Sequence, residues 1–161
     1  MDIYIRPFAS EDRPAILALL PRLLTGLAPW RDTGRWLESV RRSLGAAMDG
    51  GDPHSVLLVA ADSADRLLGF ISMTRTTNFS GEPRIYIDDI VVIPEAEGHG
   101  VARTLLGAAE RHARSAGIRF LALDVNAGNA RARAVYGHWG FVEESLHLVK
   151  VLDEKDATPL A

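Results

Sequence analysis

The chain has 161 residues, 47% hydrophobic and 24% charged, which suits one globular domain with a real core. A net charge of −3 shows no basic footprint and argues against a nucleic-acid partner, while the absence of cysteine excludes disulfides, thiolate catalysis and Cys-ligated zinc. No run approaches the ~18 apolar residues of a membrane span, and MDIYIRPFASEDR is not a signal peptide, so a cytoplasmic protein with no membrane partner is expected.

Ile3 to Arg6 reads as a short strand. Ser10 is a candidate N-cap, with Glu11, Asp12 and Pro14 in the turn that follows, and AILALL is helical until Pro21 stops or kinks it. PRLLTGLAPW, with two prolines and a glycine, reads as an irregular surface piece of the kind that carries binding contacts. A second helix begins near Thr33, with Trp36, Val40 and Leu44 on one face, and GGDP is a strong turn. The period then changes to that of strands. SVLLVAA, LLGFISMTRT and RIYIDDIVVI are strands separated by the loops ADSADR and NFSGEP, and Pro94 ends the third. A helix runs from Gly98 to about Ala116, with Val101, Leu105, Ala109, His112 and Ala116 on one face and Gly117 as its stop. IRFLALDV is a further central strand. Asn129 to Trp139 forms a short helix stopped by Gly140, FVEESLHLVKVL supplies one or two last strands, and DEKDATPLA frays.

The order is therefore β-α-α-β-β-β-α-β-α-β, a mixed sheet in a single α/β domain over 1–161, with 153–161 as a frayed tail. The five histidines show no metal-ligand spacing and no HExxH, so no metal is expected.

The segment EGHGVARTLL raises the question of a bound phosphate. Two glycines lead into a helix whose first N–H groups and dipole attract an anion, and glycine lets the backbone approach it closely. A nucleotide P-loop needs GxxxxGK[ST], which is absent. A dinucleotide loop needs GxGxxG directly after a strand. Here Arg103 stands at the third glycine, Pro94 to Glu97 intervene, and too little chain follows Asp124 for a doubly wound sheet.

A third pattern fits the surroundings. Val92-Ile93-Pro94 followed by Glu97-Gly98-His99-Gly100-Val101-Ala102 resembles motif A of the GNAT N-acetyltransferase superfamily, in which Gln/Arg-x-x-Gly-x-Gly/Ala opens a helix after a strand ending in Val-x-Pro. Downstream, Asn129, Tyr136 and Gly140-Phe141 stand at the spacing of the family's next block, and upstream Asp88 sits where the family's fourth strand often carries an acid. The close resemblance covers Ile85 to Phe141. It departs at Glu97, which stands where the family has Gln or Arg. A carboxylate repels a pyrophosphate, so Glu97 is expected to point away while the backbone cradle survives.

The resemblance implies the GNAT acyl-CoA N-acyltransferase fold. It also implies acetyl-CoA as co-substrate, a primary amine of a small molecule, peptide or protein as acceptor, and direct transfer in a ternary complex. The cofactor would lie on Gly98, His99, Gly100, Val101 and Ala102 beside Glu97, with Ile90, Val91 and Val92 along its arm and a bulged strand N–H near Val91 or Val92 as oxyanion donor. Tyr136 is the implied general acid. Asn129 either bonds the cofactor's arm or caps its helix.

For the base, Asp88 comes first and Asp124 is its rival. Strand alternation places Asp88 with Tyr86 on one face and Asp89 on the other, which leaves Asp89 a structural role. Asp88, Asp89, Glu82 and Glu143/Glu144 near the cleft would favour a cationic amine, and PRLLTGLAPW and NFSGEP are expected to line its pocket. A homodimer is possible. The competing class is a non-catalytic acyl-CoA-binding module, marked by loss of Tyr136 or of the strand acid; both residues are present.

Overall fold

In a computed structural model that describes residues 2–152, five strands form one mixed sheet in the order β1-β2-β3-β4-β5. The strands are β1 (Tyr4–Pro7), β2 (Ser55–Ala61), β3 (Leu67–Thr77), β4 (Pro83–Val92) and β5 (Phe120–Leu123). The first four are antiparallel neighbours and β5 is parallel to β4. The helices are α1 (Arg13–Leu19), α2 (Thr33–Met48), α3 (Val101–Ser115) and α4 (Ala130–His138). This is the α/β architecture that the sequence order implied, with the β4-α3-β5 crossover as its single parallel unit.

The sheet separates two cores. On one face Ile71, Met73, Ile85 and Ile87 pack with Val101, Leu105, Leu106 and Ala109 of α3. On the other, Val59, Phe70 and Val91 pack with Ile16 and Leu44 from α1 and α2. The buried stripe of α3 ends on Ala113 rather than on His112 and Ala116: Ala113 is buried, His112 half-buried and Ala116 exposed. The 3.6-residue period, followed from Val101, Leu105 and Ala109, arrives at Ala113.

Two local expectations are corrected, and one cap is added. Ser10 is not a helix N-cap. It opens a 3-10 turn (Ser10–Asp12) in which Asp12 turns inward and accepts the Ala9 N–H at 2.9 Å. The cap of α2 is Asp32, whose carboxylate accepts the Arg35 N–H at 2.8 Å. The strand pattern of FVEESLHLVKVL does not become strand: residues 141–152 carry no regular structure, and Val142, Leu146 and Leu148 are exposed. Alternation gives a segment the capacity for a ladder, but hydrogen bonds come only with a partner edge, and β5 presents just Phe120–Leu123. The tail 153–161 lies outside the described residues.

Asp12 anchors the first crossover. Arg6 grips it in a fork, Nη1 to Oδ2 at 2.6 Å and Nη2 to Oδ1 at 2.9 Å, and this guanidinium holds the Asp12 carboxyl below the usual range. Because Asp12 is 7% exposed and accepts from both Nη groups of Arg6, Asp12→Ala leaves the half-buried guanidinium with Asp65 as its remaining carboxylate partner; a loss of about 2 kcal/mol in urea unfolding at pH 7 is expected. The wild-type advantage is present above the unfolded aspartate pKa and disappears as pH falls through the lower folded value, so the two proteins converge in acid.

Candidate functional site

The site forms where β4 and β5 part. The two strands pair only from Arg84↔Phe120 to Ile87↔Leu123; beyond Ile87, β4 continues to Val92 paired with β3 alone. The resulting wedge is a cavity lined by Ile87 to Ile90 of β4 and by Leu123 to Asn126 at the end of β5. Arg22 and Leu23 border it from the 3-10 segment Leu20–Leu24, and Asn129, Ala132 and Tyr136 from α4 and its cap.

A β-bulge sets the chemistry of its wall. The β3–β4 register runs Ser72↔Asp89 and then Met73↔Ile87, so Asp88 is an extra residue without a partner. The bulge inverts the alternation. Ile85 and Ile87 face the α3 core before it, and Ile90 and Val92 face that same core after it. Asp88 and Asp89 therefore share the opposite face, and the expectation that they diverge is corrected. Asp88 accepts from Thr74 Oγ1 at 2.7 Å and Asp89 from Ser72 Oγ at 3.0 Å.

Their surroundings grade the two acids. Burial raises the Asp88 carboxyl, although the Thr74 hydrogen bond pulls the other way. Asp89 is more deeply placed. Burial pushes it up to about 6, the Ser72 hydroxyl opposes that, and the neighbouring Asp88 charge adds to it. A carboxylate of that basicity is ionised at neutral pH yet still takes a proton readily. Alternation along an ideal strand hides Asp89; the signal that could have found it is the pair of adjacent aspartates inside an otherwise apolar strand. Asp124 stands at the end of β5 beside Tyr86, and together with burial it drives the Tyr86 phenol well above its ordinary value.

Tyr136 reaches the cavity from α4. Its ring packs edge-to-face on Phe141, centroids 5.7 Å apart at 65°, and rests on the α3-side core. Burial raises its phenol, so it holds its proton throughout the neutral range. Asn129 is the N-cap of α4, its Oδ1 accepting the Ala132 N–H at 3.1 Å, and it also lines the cavity. The cap reading is thus observed.

Beside the cavity, joined to it through the ion pair of Arg22 with Glu97, lies the glycine loop. Gly98 and Gly100 have φ of +78° and +87°, values that residues with a side chain rarely adopt, and a Cβ at either would meet only open space. α3 starts at Val101 with no side-chain cap, which leaves first-turn N–H groups for an external acceptor. The loop and helix start therefore fit a pyrophosphate, and the wedge fits a narrow arm leading from it. His99 turns back, its Nδ1 2.9 Å from the Glu97 carbonyl oxygen.

PRLLTGLAPW closes over the β5–α4 connection. Asn126 Nδ2 donates to the Thr25 carbonyl at 3.1 Å, and a Cβ on Gly26 would stand 2.3 Å from the Asn129 nitrogen. Arg22 and Leu23 thus line the cavity as expected for that segment, whereas no residue of NFSGEP does. Glu82 is held within its own loop by Asn78 and Ser80, and Glu143 pairs with Arg133 at 2.6 Å, so neither lines this cavity. Among the described residues no cluster of three or more His, Asp or Glu suits a metal ion, and no helix is long and apolar enough to cross a membrane.

Residues 18–141 match the model of the Acetyltransferase (GNAT) family. The chain belongs to the GNAT acetyltransferase family. Among relatives, the mycothiol acetyltransferase of Propionibacterium freudenreichii is 39% identical over 95 residues, covering 59% of this chain and 30% of that protein. The aminoglycoside N(6')-acetyltransferase type 1 of Stenotrophomonas maltophilia is 28% identical over 141 residues, covering 85% of this chain and 87% of its own length. The first of these shows that the chain spans well under two thirds of some relatives it matches. The structure of AAC(6')-Iy in complex with the bisubstrate analog CoA-S-monomethyl-acetylneamine superposes with a TM-score of 0.70 at 18% identity, covering 95% of this chain and 99% of that one. At that identity the likeness speaks for the GNAT fold.

Proposed function

We propose that the protein is an acetyl-CoA-dependent N-acetyltransferase that modifies a primary amine on a small cationic acceptor. The observation that carries this reading is a cavity between β4 and β5 lined by a protonated phenol and a basic carboxylate, with the glycine loop beside it: Arg22 of the lining pairs with Glu97, the residue before the cradle. When bound, acetyl-CoA supplies the activated acetyl thioester.

The chain's residues then divide the work. Backbone N–H groups from Gly98 to Ala102, with His99 at the rim, hold the pyrophosphate. Ile90, Val91 and Val92 flank the arm, and a backbone N–H of Val91 or Val92 stabilises negative charge on the thioester oxygen. Asn129 orients the arm through its amide nitrogen. Asp89 removes a proton from the incoming ammonium, directly or through one water. The amine nitrogen forms its bond to the acetyl carbon as the carbon–sulfur bond breaks. Tyr136 gives its phenolic proton to the departing sulfur, and the second proton of the acylated nitrogen returns to the phenolate, directly or through one water, which leaves a neutral amide, a free thiol and a restored phenol.

Asp88 and Asp124 complete a ring of three carboxylates around the acceptor side of the cavity. They favour a polycationic amine, in keeping with the aminoglycoside named for the Stenotrophomonas relative. Asp88 is the second choice for the base, and Asp124, held beside Tyr86, orients the acceptor.

The test is release of free thiol from acetyl-CoA across a panel of amines, read with a thiol reagent to which this cysteine-free sequence is silent. Amine-dependent release, greatest for polyamines and aminoglycosides, is expected. Binding of acetyl-CoA without release on any amine would instead favour a non-catalytic acyl-CoA-binding module.

A further inference from the structure

Glu97 is the one position at which the loop departs from its family pattern, and its surroundings are unusual. Arg22 Nη2 pairs with Glu97 Oε1, and Arg131 Nη1 pairs with Glu97 Oε2. The two guanidinium groups come from distant parts of the chain, one from the 3-10 segment after α1 and one from the first turn of α4. They converge on a single carboxylate that immediately precedes Gly98, the first glycine of the anion cradle. One negative charge thus holds two positive ones, leaving a local excess of one positive charge at the cradle's edge.

We infer that Arg22 and Arg131 are ligands of the cofactor's pyrophosphate, parked on Glu97 until the phosphates arrive. The inference rests on the reading of the glycine loop as a coenzyme A cradle. A diphosphate seated on the N–H groups after Gly98 would sit next in sequence to the carboxylate that both guanidiniums hold. It offers them two charges and several oxygens in place of one shared carboxylate. The basic residue that the family places in the loop itself is here delivered from outside it, and Glu97 orders the pair in its absence. Because the Arg22–Glu97–Arg131 bridge also ties the segment over the cavity to α4, cofactor binding releases that tie as it recruits the arginines.

The opposing account makes the three residues a strut that merely braces the loop. The two accounts differ in sign for Glu97. If Glu97 competes with phosphate, Glu97→Gln frees both arginines and tightens coenzyme A binding severalfold, whereas Arg22→Met and Arg131→Met each weaken it by roughly tenfold. If the three form a strut, removing any member weakens binding.

The measurement is titration calorimetry of coenzyme A into the wild-type protein and the three variants, with thermal unfolding recorded for each. Arg131 is 70% exposed, so its variant reports even where Arg22→Met perturbs folding. Opposite signs for Glu97→Gln and the arginine variants are the expected result. Weaker binding by Glu97→Gln, or wild-type affinity in Arg131→Met, overturns the inference. Failure of the wild-type protein to bind coenzyme A would instead overturn the cradle reading beneath it.

Discussion

Tyr136→Phe is expected to lower kcat on the order of 10²-fold or more while leaving the KM for acetyl-CoA close to that of the wild type. The hydroxyl is the only group removed. The ring keeps its edge-to-face packing on Phe141 and its place on the α3-side core, so the fold and the shape of the wedge persist. What is lost is the proton that the departing sulfur receives. The loss should therefore depend on the leaving group: an acetyl thioester of a more acidic thiol leaves without protonation and narrows the gap between the two proteins. Full activity of Tyr136→Phe with acetyl-CoA would remove Tyr136 from the chemistry and leave it a packing residue.

Asp89 carries the second large effect, and it has two readouts of opposite direction. As the base, Asp89 must be ionised, so kcat/KM should rise with pH through about 6, and this limb should not move when the acceptor amine is changed. Asp89→Asn should abolish the limb and lower kcat/KM on the order of 10²-fold.

Its effect on stability runs the other way. A carboxyl raised by burial binds its proton more tightly in the folded chain than in the unfolded one. Its contribution to stability is therefore present below the unfolded aspartate pKa and is lost as pH rises from there through about 6. At pH 7 the wild-type protein carries the cost of a buried charge, and Asp89→Asn relieves it by on the order of 2 kcal/mol. Unfolding in urea at pH 7 and at pH 4 separates the two proteins in the first case and brings them together in the second. An active, pH-insensitive Asp89→Asn would return the role of base to Asp88.

Some of this site could be read directly from the chain. The glycine loop was legible because its physics is local: positive φ at Gly98 and Gly100, and free N–H groups at a helix start, follow from a few consecutive residues. Tyr136 was legible through its spacing from Asn129, which the short helix between them preserves. The apolar stripes of β2, β3 and α3 placed the core correctly, apart from the last turn of α3, where Ala113 rather than Ala116 continues the stripe.

The errors came where a single residue changes the phase or where partners are remote. Strand alternation assigned Asp89 to the wrong face because the extra residue at Asp88 shifts the register by one; the bulge expected near Val91 or Val92 falls at Asp88 instead, while Val91 and Val92 stay in register with Phe70 and Gly69. What Glu97 pairs with was not legible either, because its two partners, Arg22 and Arg131, lie 75 and 34 residues from it. FVEESLHLVKVL has a strand's pattern, but a strand is a property of two segments, and no second edge takes it up among the described residues.

The sequence by itself determined the order of elements from β1 to α4, the glycine turn ahead of α3, the place of Tyr136 in α4 and the presence of acids on β4, because each of these depends on neighbours within a turn or two of chain. Only the tertiary structure decided which acid is basic, what Glu97 holds and where the wedge opens. Those properties arise from burial, from register and from charges brought together by distant segments, and none of the three is local.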